Sequence, residues 1–304
     1  MTAGNIGFIG LGAMGVGMSK KLLEAGFVVC GYDINSESMA MVVEAGGSAA
    51  ANPALAAADA ALLIVCVFSA DQAEEVLYGE DGAVPALAKG ATVVMCTTMA
   101  PEHARALAAR LSETGHLYVD APVTGGKRGA DNGTLTVIAS GSDDAMAAAD
   151  GAFKAMGGRI YRVGDAPGAG SSVKMINQLL VGVHVAAAAE AVALAARAGA
   201  DPKIVYDVIT HGGGNSEAFE TRVPNILASD YAPRGVVDIF TKDLGIVADA
   251  ARALQFPLPL ASAALQQFLA AAASGYGRED DCAVVKVYEQ LAGIDVAGAV
   301  GKKS

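Results

Sequence analysis

The sequence predicts an α/β domain with a parallel sheet covered by helices on both faces, followed by an all-helical domain joined to it by one long helix. Three observations predict this. Short β-prone runs alternate with alanine-rich stretches from residue 5 to about 165, β-branched runs stop after about 168, and residues 169–199 form one long apolar stretch. At 304 residues the chain exceeds one ordinary core. The Gly- and Pro-rich VGDAPGAG, residues 163–170, places the boundary, giving domains 1–167 and 168–304.

The strands are expected, in order, in IGFIG, FVVCGYD, AALLIVCVF, ATVVMCT, LYVDAPV and TLTVIASG, each followed by helical pattern. Beyond the boundary, helices are expected over 169–199, 202–211, 216–228, 239–254, 259–273 and 280–291. Asp201 and Pro202 read as an N-cap and a first helical residue, and Gly199 as the stop of the helix before them. Residues 179–200 approach the length of a bilayer span. Their alanine and glycine content, with His184, Glu190 and Arg197, fits a buried helix of a soluble protein better, so no membrane partner is expected.

Bulk composition narrows the function. Apolar residues make up 53% of the chain and charged residues 17%, as in a packed globule, and the net charge of −11 argues against a phosphate-backbone partner. Cys30, Cys66, Cys96 and Cys282 are widely separated, which suggests neither a zinc site nor a disulfide framework and suits a reducing, cytoplasmic location. No metal is expected. A small anion is not excluded, because one or two lysines in a pocket override the global sign.

Gly10, Gly12 and Gly15 stand in GxGxxG order, which is weak alone in a chain with 37 glycines. Here they follow an apolar strand, open a helical pattern and precede a second strand ending in Asp33, about 20 residues on. In that context Gly10 permits the tight turn, Gly12 lets the backbone approach a pyrophosphate, and Gly15 lets the helix pack close to the strand. The helix N-terminus then faces the negative charge. The acid at 33 accepts from ribose hydroxyls and repels a 2′-phosphate. A Rossmann-type domain binding NAD in preference to NADP is the expectation.

Three further stretches are unlike scaffold. Thr124, Gly125 and Gly126 follow a strand and make either an ordinary turn or a nest of N–H groups for a carboxylate. Lys174, Asn177 and Gln178 share one helical face. Lys174 is either a snorkelling amine or, near a nicotinamide, the group that takes a hydroxyl proton as hydride leaves carbon. Lys242 and Asp243 stand at a helix start. The four histidines, His103, His116, His184 and His211, lie on no comparably polar face.

With these blocks in order, GFIGLGAMGVGM, DAPVTGG, GTLTVIASG and GAGSSVKMINQLL, the chain resembles the β-hydroxyacid dehydrogenase family over nearly its whole length. The resemblance implies NAD held by Gly10, Leu11, Gly12, Ala13, Met14, Gly15, Asp33, Val67, Thr98 and Lys242. It implies Lys174 as the acid–base residue, with substrate bound by Thr124, Gly125, Gly126, Asn177, Gln178 and Lys242. Later blocks, among them YAPRGVVDIFTKDLGIVADAA and GYGREDDCAVVKVY, are similar to the L-threonate dehydrogenase branch. That implies oxidation of the C2 hydroxyl of a four-carbon sugar acid. The alternatives are a 3-hydroxyisobutyrate dehydrogenase or tartronate semialdehyde reductase working at C3, and, outside catalysis, a dinucleotide-binding module. Two departures stand out: Gln178 where many members carry Asn, and HGGGNSEAFETR where the branch tends to AAGNSWMFENR. The long small-residue helix also implies a homodimer or homotetramer.

Overall fold

The apolar run after Gly4 forms β1 (Asn5–Ile9) and the glycine-bearing segment that follows it forms α1 (Gly15–Glu24). The alternation continues through β2 (Val28–Tyr32), α2 (Ser36–Glu44), β3 (Ser48–Ala49), α3 (Pro53–Ala57), β4 (Leu62–Val65), α4 (Ala70–Tyr78), β5 (Thr92–Met95) and α5 (Pro101–Glu113). Caps written into the sequence start several of these helices. The side chains of Asn35, Asn52 and Ser69 accept from Glu37 N, Leu55 N and Gln72 N. The chain then makes β6 (Leu117–Asp120), β7 (Val123–Thr124), α6 (Gly126–Asn132), β8 (Leu135–Ser140), α7 (Asp143–Met156) and β9 (Gly157–Gly164). In this computed structural model residues 4–302 are described.

The strands form one sheet in the order β3-β2-β1-β4-β5-β6-β8-β7, with β9 on β8. Pairing is parallel from β3 to β6. Successive residues of each central strand point to opposite faces, and both faces are dry. Phe8, Ile64 and Val94 enter one core with Met18, Leu22 and Phe153, while Ile9, Leu63, Val65 and Met95 enter the other with Leu77 and Leu107.

The sheet departs from the purely parallel expectation at β8, which runs antiparallel to β6 and β7. Val123 pairs with Val137 and Thr124 with Thr136, so the chain folds back after the seven-residue α6 without a crossover. The sequence reading also lacks β3, β7 and β9. The first two have two residues each. β9 is an edge strand whose GGRIYRVG leaves most residues exposed, so it carries none of the apolar continuity that marks the central strands.

After β9 the chain is helical: α8 (Ala169–Arg197), α9 (Pro202–Ile209), α10 (Glu217–Leu227), α11 (Val237–Ala253), α12 (Pro259–Ala271) and α13 (Val285–Ala292). Asp201 caps α9 through Lys203 N at 2.9 Å, and Gly199, at φ +78, follows the end of α8. The helix expected over 280–291 breaks in two. Asp280 caps a short 3₁₀ turn, Asp281–Val284, ahead of α13. The chain divides into two units, Met1–Met175 and Ile176–Ser304, so the first turns of α8 belong to the sheet unit. In the second unit Phe219, Val223, Phe240, Leu244 and Phe268 pack against Val185, Ala189 and Val192 of α8. α8 is apolar and long enough to cross a membrane by length and composition, but its buried side chains are core residues of a folded unit.

Candidate active site

Strand order reverses at β1: the chain runs outward to β2 and β3, then returns to β4 on the other side. The carboxyl ends of β1 and β4 therefore bound the crevice where open α/β sheets bind ligands. Gly10 stands there at φ +94, and a methyl group on it would lie 2.4 Å from Cys66 O. A methyl on Gly15 would lie 2.0 Å from Gly10 O. One on Gly12 would meet nothing within 4 Å, so its backbone faces open space. Three glycines thus meet three demands: a turn, an open approach for a ligand, and close packing of α1. No side chain caps α1, and its first turn holds no acid, which leaves the positive helix end to an anion.

Asp33, just past β2, braces this turn. Its Oδ2 accepts from Leu11 N at 2.6 Å and its Oδ1 from Asn35 N at 2.8 Å. A carboxylate has about four acceptor positions, so ribose hydroxyls still find room on it. The cradle fits a dinucleotide: the Gly10–Gly15 backbone would hold the pyrophosphate and Asp33 the ribose.

At the end of β4, Val67 N donates to Thr97 Oγ1 at 3.0 Å. Thr97 is buried, while the expected Thr98 is half-buried beside it. Thr97 thus braces the end of β4, a contact that the adjacent threonines in CTTMAP do not announce. Cys66 lies beside Val67. Burial pushes its thiol up to about 12, against the opposing pull of the Lys174 charge. Lys174, itself only 6% exposed, therefore stands within electrostatic reach of the carboxyl end of β4.

What brings the lysine there is Asp120, the last residue of β6. This fully buried carboxylate accepts from Gly168 N at 2.9 Å, Ser171 N at 2.8 Å and Ser171 Oγ at 2.7 Å. Gly170 N donates to Ser140 Oγ at 3.0 Å, which ties the same turn to β8. A negative charge against the N-terminus of a 29-residue helix is favourable. Burial raises the Asp120 carboxyl above its ordinary value, and the Ser171 and Gly168 hydrogen bonds oppose that rise. Lys174 follows Ser171 by three residues, about one helical turn.

Thr124 ends β7, and Gly125 (φ +125) and Gly126 (φ +61) follow with backbones that L side chains rarely adopt. A methyl on Gly126 would meet open space, so this turn can present its backbone to a ligand. In the helical unit, Gln178 and Lys242 come together on Asp243, and Asn177 joins them through Gln178. Gln178 Nε2 donates to Asp243 Oδ2 at 2.5 Å, Lys242 Nζ to Asp243 Oδ1 at 2.5 Å, and Asn177 Nδ2 to Gln178 Oε1 at 3.0 Å.

The altered 211–222 stretch is partly core. Ala218 and Phe219 are buried, Ser216 caps α10 through Phe219 N, and Glu217 and Thr221 are exposed. His103, His184 and His211 are exposed, and His116 precedes β6 at the sheet end away from the crevice. Among the described residues no group of three or more His, Cys, Asp or Glu is placed to hold a metal ion.

An open glycine turn at the switch point, closed on one side by an acid, is the cradle of a dinucleotide-binding domain, and the chain's relatives make it an NAD-binding oxidoreductase. Residues 5–164 match the family model described as the NAD binding domain of 6-phosphogluconate dehydrogenase. Residues 168–288 match that described as NAD-binding of NADP-dependent 3-hydroxyisobutyrate dehydrogenase. The chain belongs to the 3-hydroxyisobutyrate dehydrogenase-like family. It is 49% identical to the L-threonate dehydrogenase of Cupriavidus necator, over 97% of this chain and 98% of that one. It is 46% identical to that of Escherichia coli K12, over 97% of each. The crystal structure of a 3-hydroxyisobutyrate dehydrogenase from Salmonella typhimurium superposes with a TM-score of 0.89 at 45% identity, covering 93% of this chain and 99% of that one.

Proposed function

We propose that the chain oxidises the C2 hydroxyl of a four-carbon sugar acid, L-threonate, to the 2-oxo acid with NAD, in the cytoplasm. The observation that carries this reading is the placement of Lys174: a buried amine, one turn beyond the Ser171 that Asp120 holds, within electrostatic reach of the crevice end of β4. Its closeness to the dehydrogenase relatives supports the substrate. Bound NAD supplies the hydride acceptor. Lys174 Nζ takes the hydroxyl proton as the C–H bond breaks, and its positive charge then steadies the developing carbonyl oxygen. Thr124, Gly125 and Gly126 hold the substrate carboxylate with N–H and hydroxyl donors. Asn177 and Lys242 orient the remaining hydroxyls.

Initial rates on L-threonate, D-erythronate, D-glycerate and 3-hydroxyisobutyrate, each with NAD and NADP, test this. The expected result is L-threonate with NAD fastest and a loss of about 10² to 10⁴ in kcat for Lys174→Ala. A dominant rate on 3-hydroxyisobutyrate would sink the threonate reading in favour of chemistry at C3.

The active form on this reading is a homodimer or homotetramer. Val173, Ile176, Leu180 and Leu194 leave an apolar line exposed along α8, an arrangement a second copy would cover. Light scattering that finds only monomer at micromolar concentration would refute it.

A further inference from the structure

Gln178 occupies a position where the family pattern has a shorter amide, and its partner in the fold says what the extra length does. The side chain is buried, and its Nε2 donates to Asp243, which is itself only 2% exposed. The other oxygen of that carboxylate takes the Lys242 ammonium. One buried acid on α11 therefore holds an amide from α8 on one oxygen and, on the other, the cation next to it in sequence.

Neighbouring residues on a helix do not face each other, so Lys242 meets Asp243 only by curling its stem around the helix. A carboxylate free to rotate about its own side-chain bonds would not hold that curl in one place. The Gln178 amide, reaching in from α8, fixes the carboxylate. The two helices are tightly packed here, since a methyl on Gly182, one turn beyond Gln178, would come within 3.0 Å of Leu244. Asparagine is shorter by one methylene, about 1.5 Å, and from the same backbone position would stop short of Asp243.

We infer that Gln178 is a positioning residue and not a substrate ligand: through Asp243 it sets where the Lys242 ammonium stands. The inference rests on the reading in which Lys242 meets substrate, and it takes Gln178 out of the substrate contacts that the family resemblance implies.

The test is a double-mutant cycle on the full chain with Gln178→Asn, Asp243→Asn and both together, read by kcat and KM on L-threonate and D-erythronate and by urea unfolding. Each single variant is expected to lower kcat/KM about tenfold, and the double variant to be no worse than the poorer single, because both break the same chain of contacts. The preference between the two acids, which differ in one hydroxyl's configuration, is expected to stay within about twofold of wild type. Multiplicative losses, or a changed preference in Gln178→Asn alone, would mean that Gln178 touches substrate and would overturn the inference. The unfolding arm keeps this separate from the substrate reading. If no hydroxyacid is turned over, non-additive stability losses still uphold the Gln178–Asp243 link, and additive losses overturn it.

Discussion

Two of the buried aspartates, Asp120 in the sheet unit and Asp281 in the helical unit, are held in opposite ways. Asp120 is surrounded by neutral donors, two backbone N–H groups and the hydroxyls of Ser171 and Ser140. Asp281 in the helical unit, 2% exposed, is gripped by a guanidinium: Arg222 Nε and Nη2 reach its two oxygens at 3.1 and 3.0 Å. Burial raises both carboxyls, opposed at Asp120 by hydrogen bonds and at Asp281 first by the Arg222 charge. The difference teaches what each charge is for. Asp281 neutralises a partner and closes a packed junction between α10 and the 3₁₀ turn, whereas Asp120 sets the start of a helix and hence the lysine one turn on.

Breaking the charged pair is expected to be the larger insult. Arg222→Ala strands Asp281 without its counter-ion and should cost about 3 to 5 kcal/mol in urea unfolding. Replacing both partners, as in R222M/D281N, should cost less than Arg222→Ala alone; equal losses would show that the arginine acts through packing. Asp120→Asn comes next, at about 1 to 3 kcal/mol, because one acceptor is exchanged for an amide facing the N–H groups of α8. Its kcat should fall together with its stability if the clamp sets Lys174; a destabilised variant with unchanged kcat would uncouple the two.

A pH series sharpens the contrast further. The folded Asp120 carboxyl binds its proton more tightly than the ordinary 3.8, so its contribution to stability is fully present below that value and is lost as pH rises through the raised one. The unfolding free energy of wild type minus that of Asp120→Asn should therefore shrink as pH climbs from about 4; a flat or growing difference would contradict the raised carboxyl. The smallest effect is at Cys66. With its thiol pushed up to about 12, alkylation at pH 8 should run at least about tenfold slower than for free cysteine.

The two-part fold was legible because its signals are local: strand runs, the cap at Asp201, and the glycine turn with Asp33 each need only neighbours in sequence or one βαβ unit. Lys174 was legible as a charge out of place in an apolar helix. Asp120 was not, although DAPVTGG was read for its Thr-Gly-Gly, because its partner Ser171 lies 51 residues on. Gln178 and Asp243 are 65 residues apart, and nothing in either segment announces the other. β9 was missed for a different reason: as an exposed edge strand it has no buried face to write into the sequence.

The clamp at Asp120 also decides which half of the protein owns the Lys174 amine. The hydrogen bonds of Gly168, Gly170 and Ser171 tie the start of α8 to β6 and β8, so the helix is mounted like a door whose frame carries the latch. Exchanging residues 176–304 for those of a relative would therefore leave Lys174 and the start of α8 in place, since both belong to the sheet unit.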